Sequence, residues 1–402
     1  MAARLYAYSF FDDLILLYPL YAVLFAETGL STAQISSLFI IWSLTSVALE
    51  IPSGTLADAV SRRKLLVIGP LLTAVGYALW TAVPSYAAFA AGFVLWGAKG
   101  ALQSGALEAL VYEELDRHGA SSRFARVLGR SRAVSTVAVA LAIAAAGPVF
   151  EAGGYAALGI ASVLACLACA AVAAGFPEHR DVTSHDDASG YRAFAALLGS
   201  GVTEVRRSRP VWTAALFLVA VSAIWGALDE YVSLLAVDTG VPTGNVPMLI
   251  LAVYVGVAVG GLLGGVGRRL PRAALAGLLL LAAMALAAGA LAGHPAGFVL
   301  IGAAFCVFQM TDIVAAARLQ HAITGPARST VTSLAGFGTE VATIGVFAIY
   351  GAASTVAGHG VIFAGWAACY GLLALVLLSL ASRRAGPAPT AAWPGSSLRR
   401  EE

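Results

Sequence analysis

Long apolar runs, each close to the length of a membrane crossing, alternate along the chain with short polar breaks. An α-helix that traverses ~30 Å of hydrocarbon needs about 20 predominantly apolar residues. Twelve stretches bounded by charges, Pro/Gly turns or polar clusters satisfy this: 5–27, 34–57, 65–83, 87–112, 130–150, 154–176, 210–236, 245–266, 272–292, 296–320, 328–352 and 358–381. The pattern predicts an all-α integral membrane protein with twelve transmembrane helices. The first stretch begins almost at the N-terminus and carries Asp12 and Asp13, which argues against a cleavable signal peptide.

Composition changes one prior. A length of 402 residues would suggest two or three soluble domains, but 59% of the residues are hydrophobic and only 11% charged. Ordinary soluble domains carry about 25% charged residues, so so few cannot cover a water-exposed surface. A net charge of +2 with dispersed cations also excludes a nucleic-acid partner. The lipid bilayer is the expected surrounding.

Cations orient the helices, because Lys and Arg are retained on the cytoplasmic side. Of the 24, all but Lys99 fall on alternate loops or at the termini. Arg62, Arg63 and Lys64 follow the second stretch; Arg117, Arg123, Arg126, Arg130 and Arg132 follow and flank the fourth. Five more lie between 177 and 209, and Arg268, Arg269 and Arg272 follow the eighth. Arg318 and Arg328 bracket the loop after the tenth; Arg4 and four arginines of the tail complete the set. The intervening loops have none. Both termini are therefore expected in the cytoplasm, in a multi-pass protein of the plasma (inner) membrane.

The chain also repeats itself. Residues Glu27-Thr28-Gly29-Leu30-Ser31-Thr32-Ala33-Gln34-Ile35 return as Asp238-Thr239-Gly240-Val241-Pro242-Thr243-Gly244-Asn245-Val246, identical or similar at eight of nine positions at an offset of 211. Duplication of a six-helix unit is the economical explanation. It gives an N-terminal bundle, 1–176, a solvated cytoplasmic linker, 177–209, a pseudo-symmetric C-terminal bundle, 210–382, and a disordered tail, 383–402, with three prolines.

The loop after the second stretch reads Gly54-Thr55-Leu56-Ala57-Asp58-Ala59-Val60-Ser61-Arg62-Arg63-Lys64. Gly54 permits close helix approach, Asp58 sits where the helix meets water, and the basic trio holds the loop at the cytoplasmic face. This loop resembles the signature motif of the major facilitator superfamily, with Ala59 and Ser61 where a basic residue and a Gly are usual. The resemblance implies that superfamily's fold and a gate between the second and eleventh helices that stabilises the outward-facing state. It assigns that gate to Gly54, Asp58, Arg62 and Arg63. The corresponding second-half loop, Gly264-Gly265-Val266-Gly267-Arg268-Arg269, lacks the Asp. In the fourth stretch, Lys99-Gly100-Ala101-Leu102-Gln103-Ser104-Gly105-Ala106 is similar to the superfamily motif RxxxGxxxA, whose Arg is associated with proton transfer. Gly147-Pro148, followed by Gly153-Gly154, is similar to its antiporter signature and favours export.

Charges inside the apolar stretches mark the candidate chemistry. The acids are Asp12, Asp13, Glu50, Glu108, Asp229, Glu230, Asp312 and Glu340, against a single base, Lys99. Nine unpaired charges at helix centres would oppose insertion by roughly 20–30 kcal/mol, even on a lenient scale. Several must therefore face a wet cavity, lie at an interface or be protonated. Asp12, Asp13, Lys99, Asp312 and Glu340 are the expected proton-coupling or substrate-cavity residues; consecutive residues point ~100° apart, so Asp12 and Asp13 divide between cavity and local partner. Glu50, in register with Gly54 and Asp58, and Glu108 join the cytoplasmic gate. Asp229 and Glu230 lie near the outer end of the seventh stretch, where an interfacial position suffices for them. Tyr18, Tyr21, Trp42, Trp225, Tyr231, Tyr254 and Phe337 are candidates to line a cavity.

These readings converge on a non-enzymatic secondary transporter of the major facilitator type, coupled to protons and exporting a small amphipathic molecule, a drug or metabolite. An uptake symporter for a nutrient is the alternative within transport; a polytopic membrane enzyme or a non-transporting sensor is the alternative outside it. No nucleotide-binding P-loop is present, and the six histidines fall at loops or stretch ends rather than at one depth. The four cysteines sit in apolar runs and are read as buried hydrophobes. No metal or cofactor is expected, the proton gradient being the energy source, and the chain is expected to work as a monomer with a small-molecule substrate.

Overall fold

The computed structural model describes residues 1–59, 61–177, 208–323 and 328–382; most of the connector between the repeats and the whole tail, 383–402, fall outside the described residues. Among the described residues there are helices and turns and no strand. The helices are α1 (Ala2–Asp13), α2 (Tyr21–Glu27), α3 (Thr32–Ala59), α4 (Arg62–Ala82), α5 (Tyr86–Gln103), α6 (Ala106–Arg117) and α7 (Phe124–Ala174). After the connector come α8 (Arg209–Asp229), α9 (Val232–Val237), α10 (Val246–Gly267), α11 (Arg272–Leu291), α12 (Gly297–Ala322), α13 (Arg328–Ala353) and α14 (His359–Ser382). Every one of the twelve apolar stretches falls on helix. Nine of these helices are long and apolar enough to cross a membrane. Apolar side chains such as Leu262 (85% exposed) and Val299 (69%) point outward, as hydrocarbon permits and water would penalise.

Three stretches are broken within themselves, and one helix joins two of them across a bend. The 51 residues of α7 would extend ~77 Å if straight, more than twice the hydrocarbon thickness. It bends at Gly153 and Gly154, the latter at φ +61°, ψ −155°, a conformation that favours Gly. Ser131 of its first limb hydrogen-bonds Ser9, while Cys169 of its second contacts Tyr8 beside it. The two limbs therefore run antiparallel along α1, and the fifth and sixth stretches are recovered.

The first stretch is broken between Asp13 and Tyr21. Pro19 has no N–H to donate and disfavours helix at Tyr18 before it. One freed backbone donor, Leu17 N–H, is taken up by Ser162 Oγ at 3.0 Å, and Ser162 is itself fully buried. The fourth stretch breaks at Ser104-Gly105, where Gly105 has φ +71°. The seventh breaks at Glu230-Tyr231. Glu230 is the offset-211 counterpart of Pro19, so the two repeats break their first helices at matching positions.

Within the first half α1 and α4 pack on α7, and α5 on α3 and α4; within the second, α12 packs on α8, α10 and α11, and α11 on α14. The halves meet through α3 with α13, α7 with α10, and α2 with α9. The repeat relates the first two of these contacts to each other. Small residues allow close approach: a Cβ on Gly256 would lie 2.0 Å from Gly302 O, and one on Gly260 2.2 Å from Cys306 O.

The repeated sequence makes a repeated turn. Gly29 and Gly240 take φ +95° and +78°, and the hydroxyls of Thr28 and Thr239 each donate at 2.7 Å to a carbonyl of the preceding helix. In the first copy Ser31 and Gln34 cap α3 reciprocally, Gln34 N–H donating to Ser31 Oγ and Ser31 N–H to Gln34 Oε1.

These turns lie at the end opposite the start of α1 and the end of α14, where the halves close on each other. Thr243 donates to Glu27 Oε1 and Tyr155 to Glu27 Oε2, both at 2.9 Å. Ser36 Oγ and Tyr231 Oη are 2.7 Å apart, and Tyr231 stacks on Tyr350 at 3.6 Å between centroids. Phe39 meets both Tyr231 and Phe347. Gly147, in the stretch that is similar to the antiporter signature, faces Gly244 so closely that an added Cβ would lie 2.5 Å from its carbonyl oxygen. That glycine is placed by packing between the halves.

Candidate functional site

A polar cluster forms on the inner face of the first half where α1, α5 and α7 converge. Asp12 is the last residue but one of α1, and Lys99 lies one turn before the end of α5. Lys99 Nζ and Asp12 Oδ1 form an ion pair of 2.7 Å, with the side chains 12% and 21% exposed. Cys169 Sγ lies 3.6 Å from the same carboxylate oxygen. Asp13, one residue on, lies toward Ser135 of α7, whose hydroxyl donates to Ser9 O at 3.4 Å. Asp12 thus takes the buried cation, and Asp13 lies apart from it toward α7.

Gln103 extends the cluster by donating through Nε2 to the hydroxyl of Tyr8. It fits because Gly69 leaves room, a Cβ there lying 2.8 Å from Gln103 Nε2. Tyr8, Ser135 and Gln103 had no role in the sequence reading, since neutral polar residues do not interrupt an apolar run. Their only signal is spacing: Tyr8 stands one helical turn before Asp12 and Gln103 one turn after Lys99.

A second feature lies between the halves, at the paired helix breaks. Tyr18, Pro19 and Tyr21 from the first half and Asp229, Glu230, Ser233, Ile250 and Tyr254 from the second line a partly open cavity of ≈ 20 Å³, room for about one water. Tyr18 and Tyr254 meet edge-on, with centroids 6.4 Å apart. The hydroxyl of Tyr21, a residue 3% exposed, has no hydrogen-bond partner among the described residues. An interfacial position for Asp229 and Glu230 would have sufficed on sequence; the structure puts them on this cavity instead. Counting from the end of an unbroken helix misplaces them, because α8 stops at Asp229 and the chain restarts as α9.

The remaining candidates are dispersed. Asp312 accepts a hydrogen bond from Ser222, joining α12 to α8 as Lys99 joins α5 to α1. Glu340 is half-buried on α13. Arg62 pairs with Glu113 of α6, inside the first half. Arg63 follows it in the first turn of α4, and Glu108 lies half-buried in the first turn of α6. The side chains of Glu50 and Asp58, and the surroundings of Gly54, lie outside the described residues. Of the aromatic candidates, Tyr18, Tyr21 and Tyr254 line the cavity, and Trp42 packs on Trp96 at 5.0 Å. Tyr231 belongs to the closed end.

A duplicated bundle of long apolar helices, with its charges turned inward and its first helices broken at matched depth, is the architecture of a multi-pass membrane transporter. The chain belongs to the Major Facilitator Superfamily, whose family model matches residues 5–345. Among solved structures it is similar to a single-site mutant of the nucleoside transporter NupG, with a TM-score of 0.74 at 12% identity over 94% of this chain and 99% of that one. NupG itself gives 0.71 at 14% identity, covering 95% and 97%. A bacterial homologue of the human lysosomal transporter Spinster, in an inward-facing and unoccupied conformation, gives 0.66 at 15%, covering 95% and 96%. At these identities the likeness concerns the fold alone. No curated protein matches the chain.

Proposed function

We propose that this transporter couples to protons and exports a small amphipathic molecule across the plasma (inner) membrane, with its termini and basic loops in the cytoplasm. The reading rests on the Lys99–Asp12 ion pair with Asp13 at its side, held inside the first half. Most of the pair is removed from water, so neither charge is stable there without the other. A proton arriving on Asp12 takes away the partner of Lys99 and forces the cluster to rearrange. Asp13 stands one residue away as a second carboxylate through which the proton can pass. On the expected orientation the closed end is the outer one, and the halves rock about the cavity to expose it to alternate sides.

The test is transport in proteoliposomes with an imposed proton gradient, screening dyes and antibiotics, for the wild type and for Asp13→Asn, Lys99→Gln and Glu340→Gln. Gradient-driven flux that collapses in Asp13→Asn and Lys99→Gln supports the proposal. Variants that keep the wild-type rate and gradient dependence sink it. Direction is read in cells: loss of an exporter raises drug sensitivity, whereas loss of an uptake symporter lowers substrate accumulation.

A further inference from the structure

Asp229 and Glu230 share the ≈ 20 Å³ cavity between the halves. Neither carboxylate has a hydrogen-bonding or cationic partner among the described residues. The cluster around Lys99 already accounts for that base, whose ion pair is made with Asp12. Another residue lining the cavity, Tyr21, is buried, and its hydroxyl lacks a partner too. Two acids and a phenol, all unanswered and all on residues that line one small space, describe a site built for something the polypeptide does not supply.

The walls say what it is. Tyr18, Tyr21 and Tyr254 surround the acids with aromatic rings, whose electron-rich faces attract cations. Carboxylates with aromatic walls favour an organic cation over a neutral molecule, which would leave the acids unpaired. Size favours a compact headgroup, since a primary ammonium is water-sized and fits the space as it stands, whereas a trimethylammonium is several times larger and requires the walls to part. Three N–H donors match the acceptors present, the two carboxylates and a tyrosine or Ser233 hydroxyl. A hard inorganic cation would instead seek a shell of about six oxygens, and the aromatic rings contribute none.

We propose that the cavity at the paired helix breaks binds the primary ammonium group of a small organic substrate, Asp229 and Glu230 neutralising its charge. The inference rests on the transport reading above and names its substrate class. Tyr18 and Tyr21 come from the first half, and Tyr254 and the two carboxylates from the second, so a bound ammonium bridges the two bodies that must rock.

The experiment measures binding to the purified full-length chain in detergent, by thermal shift and by quenching of intrinsic tryptophan fluorescence. The probes are 2-phenylethylamine, butylamine and 1,4-diaminobutane, the N-acetyl and N-trimethyl derivatives of the first two, and sodium chloride alone. At least one primary amine should raise the melting temperature, while its acetyl and trimethyl derivatives do not. Asp229→Asn and Glu230→Gln should each weaken that amine by about tenfold or more, as expected for loss of one charge-assisted contact. Tyr21→Phe, which removes only an unpartnered hydroxyl and so threatens folding least, should weaken it by about threefold or more while the unliganded melting temperature holds.

The proposal is overturned if no primary amine stabilises the wild type. It also fails if the acetyl derivative or sodium alone reproduces the whole shift, or if Tyr21→Phe and the folded carboxylate variants bind as the wild type does. No gradient is present in this assay, so amine binding and proton coupling through Asp13 and Lys99 succeed or fail separately.

Discussion

Replacing Lys99 by Met leaves the Asp12 carboxylate buried without its cation, and replacing Asp12 by Asn does the reverse. Breaking one side of a buried pair costs about 3–5 kcal/mol, whereas removing both charges together can be close to neutral. The single variants Lys99→Met and Asp12→Asn should therefore melt well below the wild type in detergent, and the double variant should recover much of the loss. Purely additive losses would mean that the 2.7 Å contact contributes nothing as a pair. All three variants should lose gradient-driven transport, including the double variant that regains stability. At this scale Asp12, Asp13 and Lys99 were legible because charge interrupts an apolar run there, and the structure brings the three together. It was silent on Tyr8, Gln103 and Ser135, which are polar but ordinary in a transmembrane helix. It understated Asp229 and Glu230, because depth counted along an unbroken helix fails where the helix ends early.

Helix contacts show the same division between pattern and geometry. Hydropathy located all twelve apolar stretches, and Gly153-Gly154 marked the turn within α7. The break in the first stretch has a visible cause in Pro19, but that in the seventh has none: no proline stands near Glu230, and only its place in the repeat ties it to the first. Nor does hydropathy tell which of the glycines of α10 carry contact. Gly256 presses on Gly302 of α12, while Gly261 on the same helix has nothing within 4 Å of its would-be Cβ. Gly256→Ala should thus force α10 and α12 apart and cost about 1–3 kcal/mol. Gly261→Ala should be neutral or stabilising by up to about 1 kcal/mol, through helix propensity alone. Melting curves of the two variants side by side check this, and equal effects would contradict the packing.

At the scale of the molecule, the duplication at an offset of 211 was readable in nine residues, and the structure turns it into matched glycine turns at one end of the bundle. What the sequence could not convey is that this end is the sealed one, since Ser36, Tyr231 and Gly351 are far apart in the chain and individually unremarkable in composition. If alternating access is the working cycle, this seal must part. A Cβ on Gly351 would lie 2.9 Å from that of Ser36, and a disulfide needs about 3.5–4.5 Å between Cβ atoms. The chain carrying Ser36→Cys and Gly351→Cys should therefore cross-link after α3 and α13 yield by roughly 1 Å. With a protease site inserted between 178 and 207, cleavage should leave the halves joined without reductant and separate them with it. Transport should stop on oxidation, return on reduction, and be unaffected by oxidant in either single-cysteine variant. Undiminished flux through the fully cross-linked protein would show that α3 and α13 never part at this end, and the rocking of one half against the other would have to be abandoned.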